Sequence, residues 1–303
     1  MQFGAQLSNY GTTWADIQRT VSTLEAGRWH SLWFSDHFMP PGNPKAGHGS
    51  ALEGWTLLTA AAAVTHRLRL GVLATGNTYR SPALLAKMCT TLDHITGGRM
   101  ILGLGAGWYE HEHRAYGWDF PSLKERCDRL EEAADLIRLL FTKPHDEYVS
   151  FAGTHYQLNA APLSPPSSQD PHIPILIGGN GEKRTLRTCA KSGDIFNLDF
   201  WHPGGVDVFR RKAEAATRHC ESFGRDPGEL KKTVSLPFRL FDTEGDYQAS
   251  KGMPWYCWGT ATMIQDTLGA YRDAGAQEVM LCGVPSKPAL WQRIEAEVLS
   301  VFD

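Results

Sequence analysis

Short apolar segments and amphipathic segments alternate along the whole chain, and that alternation limits the fold more than any single motif does. Strand-like runs fall at 3–8 (FGAQLS), 31–36 (SLWFSD), 69–75 (RLGVLAT) and 99–105 (RMILGLG). Four more fall at 174–179 (PILIGG), 194–199 (DIFNLD), 233–240 (TVSLPFRL) and 277–282 (QEVMLC). They are short and mostly bounded by Gly, Pro or Asp, the pattern of strands buried on both faces. Helical patterns fill the gaps, at 14–27, 54–65, 82–95, 122–141, 181–191, 205–222, 260–274 and 288–301. The clearest is 122–141, where Ser122 is an N-cap and Glu125 completes a capping box. Its apolar stripe is Leu130, Ala133, Ala134, Ile137 and Leu140. Eight strands each followed by a helix is the count that closes a (β/α)8 barrel, whereas a doubly wound sheet ordinarily has fewer strands.

A chain of 303 residues suits one such barrel, and no linker, repeat or low-complexity tract divides it. The reading is therefore a single α/β domain over 1–303, with longer excursions after strand four (142–173, including a hairpin) and after strand seven (241–259). A net charge of −3 gives no electrostatic footprint for nucleic acid or an anionic membrane. The most apolar stretch is broken by His66, Arg67 and Arg69, so it is no membrane span. Six scattered cysteines without a Cys-x-x-Cys pair read as reduced thiols, and the N-terminus lacks a signal-peptide pattern. The expected location is the cytoplasm.

On a barrel, ligands meet the C-terminal ends of the strands. Strand two ends in "SDHF", which puts Asp36 and His37 at the mouth. His37 there is a candidate proton donor or acceptor, and Asp36 a candidate ligand contact or orienter of the histidine. The alternative is a loop-capping aspartate beside an incidental histidine. Strand four runs into Gly103, Gly105 and Gly107, and strand five into "GGNGEKRTLR". Gly178, Gly179 and Gly181 let backbone approach a ligand, the following helix start favours an anion, and Lys183, Arg184 and Arg187 add charge. The competing reading is a plain glycine turn beside a solvated basic face. "HEHR" (residues 111–114) looks like a metal cluster, but histidines two apart point to different helix faces, and H-E-x-x-H is absent. Trp14, Trp108, Trp201 and Trp255 are candidates to line a pocket for a planar ligand. There is no G-x-S-x-G nucleophile elbow.

At "SLWFSDHFMP", "LGVLATGNTYRSPALLAKMCTTLDHITGGRMILGLGAGWYEHEHRAYG" and "PILIGGNGEKRTLRTCAKSGDIFN" the sequence resembles the bacterial luciferase-like monooxygenase superfamily. It is most similar to the branch of deazaflavin (coenzyme F420)-dependent oxidoreductases, over essentially the whole chain. The resemblance implies a barrel mouth covered by an isoalloxazine-like ring, against Asp36, His37 and the end of strand three (Leu73, Ala74, Thr75, Asn77). It implies a non-proline cis peptide at Leu73–Ala74. Phosphate and tail contacts would come from Gly105, Ala106, Gly107 and Trp108, and from Gly178, Gly179, Asn180 and Gly181. The implied activity is hydride transfer between F420 and a small organic substrate, with His37 handling the proton, in a homodimer. The alternatives are an FMN-dependent monooxygenase fed by a separate reductase, and a non-catalytic flavin-binding barrel. The superfamily's sugar-phosphate dehydrogenases carry a tryptophan after the Asp-His pair and a glutamate after the strand-four glycines. Here Pro41 and Trp108 stand in those places, with Glu110 two residues later, which argues against glucose-6-phosphate oxidation. The loops expected to set the substrate are 38–54, 142–173 and 241–259.

Overall fold

The structure is a computed structural model and describes residues 1–42, 49–144, 146–250, 252–253 and 255–302. Parts of the three substrate-setting loops, at 43–48, 145, 251 and 254, lie outside the described residues. The chain opens with β1 (Gln2–Leu7), α1 (Trp14–Ala26), β2 (Ser31–Phe34), α2 (Gly54–Ala62) and β3 (Arg69–Val72). After β3 come β4 (Thr75–Gly76), α3 (Pro82–Thr96), β5 (Met100–Gly105), α4 (Glu110–Ala115) and α5 (Leu123–Thr142). The hairpin β6 (Val149–Ala152) and β7 (Gln157–Ala161) precedes β8 (Ile175–Gly178), α6 (Thr185–Ser192), β9 (Ile195–Leu198) and α7 (Gly205–Ser222). The last third holds β10 (Lys231–Leu240), α8 (Glu244–Ala249), β11 (Cys257–Gly259), α9 (Ala261–Asp273), β12 (Glu278–Val284) and α10 (Pro288–Glu297).

Eight of these strands pair in parallel in the ring order β1, β2, β3, β5, β8, β9, β10, β12, and β12 returns to β1. The ring is a closed (β/α)8 barrel, as the alternation predicts. Strand three is split: β3 ends at Val72, β4 resumes at Thr75 against β5, and the Leu73–Ala74 peptide between them is cis. None of the described helices is long and apolar enough to cross a membrane.

Period-two alternation sorts each strand's side chains between two cores. Leu32, Phe34, Leu102, Leu104, Val279 and Leu281 point out against the helices. Trp33, Ile101, Leu176, Ile195, Met280 and Cys282 point in and form their own cluster, which fills the cylinder. Trp33 takes so much of that space that β3 must carry glycine beside it: a Cβ on Gly71 would lie 2.4 Å from the Trp33 ring and 2.7 Å from the Ile101 carbonyl.

Around the barrel, α5 buries its predicted stripe, Leu130, Ala133, Ala134, Ile137 and Leu140. Burial of each of the larger members contributes about 1.5–3 kcal/mol. Ser122 caps α5 by accepting the Glu125 amide at 3.2 Å. The expected reciprocal half of the capping box gives way to an ion pair, because the Glu125 carboxylate accepts from Arg129 one turn on, at 2.6 Å. α6 begins at Thr185, four residues later than the sequence pattern placed it. A turn over 182–184 intervenes, and the Leu186 amide reaches back to the Gly181 carbonyl. α10 stops at Glu297 and is followed by a 3-10 turn, Leu299–Val301.

Candidate active site

The C-terminal ends of β2, β4, β5, β8, β9 and β10 share one rim. Following β2, Asp36 is 3% exposed. Its carboxylate accepts two hydrogen bonds from Arg80 Nη1, at 2.8 and 3.0 Å, and one from the Gly76 amide at 3.0 Å. Burial raises the Asp36 carboxyl above the ordinary aspartate value, against the pull of Arg80. Arg80 also pairs with Glu53, the N-cap of α2, at 2.8 Å. Asp36 thus ties the end of β2 to β4 and α2, and it does not orient His37.

That task belongs to Glu112, a residue the sequence reading set aside with the "HEHR" run. Glu112 is fully buried on α4 and accepts from His37 Nδ1 at 3.0 Å and from the Tyr79 hydroxyl at 2.5 Å. It also accepts from the amides of Phe38 at 2.5 Å and Met39 at 3.1 Å. Burial alone would raise its pKa, but the hydrogen bonds from His37 and Tyr79, then that of the Phe38 amide, outweigh it and hold the carboxyl below the ordinary glutamate value. An ionised carboxylate only accepts, so Nδ1 of His37 carries a hydrogen and Nε2 is the ring nitrogen left for proton exchange. The ring is steadied edgewise by Trp108 and Tyr109, with centroids 5.4 and 5.9 Å away. In the same run, His113 Nδ1 donates to the Tyr109 carbonyl at 2.8 Å and Nε2 accepts from Thr78 at 2.7 Å. Glu110 pairs with Arg114 on the surface. Among the described residues no group of His, Cys, Asp or Glu is placed to hold a metal.

Three glycine-bearing turns meet beside this dyad. The Ala74 methyl reaches across the ends of β5 and β8, so that a Cβ built on Gly105 or Gly178 would sit 3.6 or 3.3 Å from it. Gly107 has φ +79°, and its carbonyl accepts from Arg126, whose guanidinium lies 4.0 Å above the Phe120 ring. Glycine is the residue for that left-handed conformation. Thr75 accepts from the Trp55 indole at 3.2 Å, and the Leu73 carbonyl accepts from Gln6 at 3.1 Å. Asn77 is buried. Its amide donates to the Gly105 carbonyl at 2.9 Å and its Nδ2 to the Tyr156 hydroxyl at 3.1 Å, which leaves Oδ1 without a partner. Ala106 is half-buried between its two glycines, and Trp108 is 55% exposed at the rim.

Past β8, the Gly179 amide donates to the Asn197 carbonyl at 3.0 Å, and Asn180 Nδ2 to the Trp201 carbonyl at 3.1 Å. Gly179 and Gly181 wrap Thr185, the first residue of α6. The cations expected to serve this turn are mostly committed elsewhere. Arg184 pairs with Asp128 at 2.5 Å and Arg187 with Glu131 at 2.9 Å, both acidic residues of α5. Only Lys183 of the three is exposed. Of the tryptophans proposed for a pocket, Trp14 packs against the outer core, while Trp201 and Trp255 meet edgewise at 5.6 Å.

Asp199 is a second rim residue that the sequence reading passed over. It follows β9, four positions around the ring from β2 in either direction, and so opposite His37. Its carboxylate accepts from the Trp201 amide at 2.9 Å, and burial pushes its carboxyl up to about 6. A carboxyl raised on folding costs stability once it ionises, so the penalty grows as pH rises from about 4 to 6 and stays above that. Asp199→Asn is therefore expected to raise the melting temperature at pH 7.5 and leave it unchanged at pH 4. After allowance for solvent screening, the gain is at most about 2 kcal/mol. Thermal unfolding at the two pH values checks this.

The sequence model of the luciferase-like monooxygenase family matches residues 1–284. An F420-dependent glucose-6-phosphate dehydrogenase from Kineococcus radiotolerans is 33% identical over 208 residues, covering 68% of this chain and 58% of that protein. The coenzyme F420-dependent tetrahydromethanopterin reductase of Methanopyrus kandleri superposes with a TM-score of 0.81 over 100% of this chain and 99% of its own, at 18% identity. The EDTA monooxygenase of Chelativorans superposes with a TM-score of 0.83 over 99% and 93%, at 15% identity.

Proposed function

Because this chain belongs to the luciferase-like monooxygenase family, we propose that it is a coenzyme F420-dependent oxidoreductase moving a hydride between the deazaflavin and a small organic substrate. The observation that carries this reading is His37, held through Nδ1 by ionised Glu112 so that Nε2 is the nitrogen left to exchange a proton at the barrel mouth. Support comes from the sequence relatives, among them F420-dependent glucose-6-phosphate dehydrogenases 33% and 30% identical to this chain.

The residues present fit a flat, phosphorylated cofactor. Ala74, Gly105 and Gly178 expose backbone at adjacent strand ends, and Asn77 Oδ1 is a buried acceptor awaiting an N–H or O–H donor. The backbone amides of Gly107, Asn180 and Gly181 would hold the phosphate-bearing arm, with Gly179 supplying the left-handed turn between strand and helix start. When bound, the deazaflavin supplies two-electron hydride chemistry. The protein does the rest. Asp36 and Arg80 fix the β2 and β4 ends, Trp108 and Tyr109 cover His37, and His37 Nε2 takes or returns the proton that accompanies the hydride. The same reading carries a cytoplasmic enzyme assembled as a homodimer.

Titration of the purified protein with F420 and with FMN, followed by absorbance and fluorescence, tests the assignment. Saturable F420 binding at least about tenfold tighter than FMN is expected, a difference of about 1.4 kcal/mol. Tight FMN binding with oxygen-dependent turnover would replace this reading by the monooxygenase one.

A further inference from the structure

We infer that Arg239, with the Phe241 and Trp258 rings beneath it, forms an anion-binding subsite at the rim, and that the substrate carries an oxyanion, a carboxylate or a phosphate. The inference rests on the oxidoreductase reading for what is bound, and on the following geometry for where.

β10 is ten residues long and outruns its barrel partners. Its pairing with β9 ends at Val234 and with β12 at Pro237, while Phe238 to Leu240 pair with β11 beyond the ring. Val234, Leu236 and Phe238 point into the outer core. Thr233 and Ser235 point inward, where both bond the buried Asn197 side chain. The same period puts Arg239 on the inward face, above the rim. There its guanidinium is exposed and lies over two rings, 4.8 Å from the Phe241 centroid and 5.5 Å from that of Trp258.

Other guanidiniums near the mouth are engaged: Arg80 holds Asp36 and Glu53, and Arg126 holds the Gly107 carbonyl. Arg239 has no hydrogen-bond acceptor or carboxylate among the described residues. A planar fork of donors, pinned by aromatic faces and left unpaired, matches an oxyanion bidentately. A second observation points the same way. The indole N–H of Trp258, one of the two rings under the Arg239 guanidinium, is buried without a partner, as are the Ser250 hydroxyl and the Trp255 indole N–H elsewhere in the excursion. Each is a donor, and buried donors are ordinarily satisfied.

The test uses isothermal titration calorimetry, with inorganic phosphate and acetate as probes at constant ionic strength. Wild type is expected to give a saturable response to at least one of them, and the stronger of the two names the oxyanion. Arg239→Gln should weaken it by about tenfold or more, and Arg239→Lys should fall between, since an ammonium lacks the fork. Trp258→Phe keeps an aromatic face under Arg239 and removes the indole N–H donor, so a several-fold loss of affinity is expected. No saturable response in wild type, or equal affinity in wild type and Arg239→Gln, overturns the inference. F420 titration of the same proteins is independent: its failure in wild type would remove the oxidoreductase reading and leave the anion result standing.

Discussion

Replacing His37 with asparagine is expected to lower turnover by about 10²–10⁴-fold, the range for loss of a positioned general acid or base. Asparagine can still donate to Glu112, so the β2 loop keeps its anchor, but it offers no titratable nitrogen at the mouth. Cofactor affinity should change little, because the glycine turns and Asn77 lie on other strands. The measurement is steady-state turnover beside an F420 titration on the same preparation. Loss of binding in parallel with turnover would reassign His37 to the cofactor cradle; unchanged turnover would remove it from the proton step.

Changes at Glu112 should separate stability from proton handling. Glu112→Ala strands two backbone amides, the Tyr79 hydroxyl and His37 Nδ1 in a buried place. The expected cost is about 3–5 kcal/mol, as for a buried charged group whose partners are left unpaired. Glu112→Gln keeps an oxygen for the Phe38 and Met39 amides and should fold. Its amide donates toward Nδ1, however, which favours the tautomer with hydrogen on Nε2. Turnover should then fall by about 10- to 100-fold with little loss of melting temperature. Imidazole nitrogen NMR reads the tautomer directly. The wild-type carboxyl is depressed, so its contribution is complete above the ordinary glutamate pKa and is lost as pH falls through the lower folded value. Acid unfolding of Glu112→Gln should accordingly lack that part of the transition.

The barrel was legible because each inward position alternates with an outward one, and because β2, β5 and β8 read as continuous apolar runs. The rim glycines and the Asp36–His37 pair could be located by counting strand ends. Glu112 could not. Its helix, Glu110–Ala115, is six residues long, too short to display a period, and what buries it is the chain after β2, more than 70 residues away. Arg184 and Arg187 were misassigned for a related reason: the pattern of their own helix says nothing of the acidic face of α5 beside it. Asp199 was passed over because one aspartate at a strand end differs from any other only by what desolvates it. Within loop 241–259 the sequence singles out only Trp255, since the tie between Arg239 and Trp258 depends on a strand pairing invisible in the linear order.

Trp33, Ile101, Leu176 and Met280 stopper the cylinder from within. Such a vessel has a single doorway, so reactants and spent partners share one path. Product-inhibition kinetics are accordingly expected to show a fixed order, the guest seated deepest arriving first and departing last.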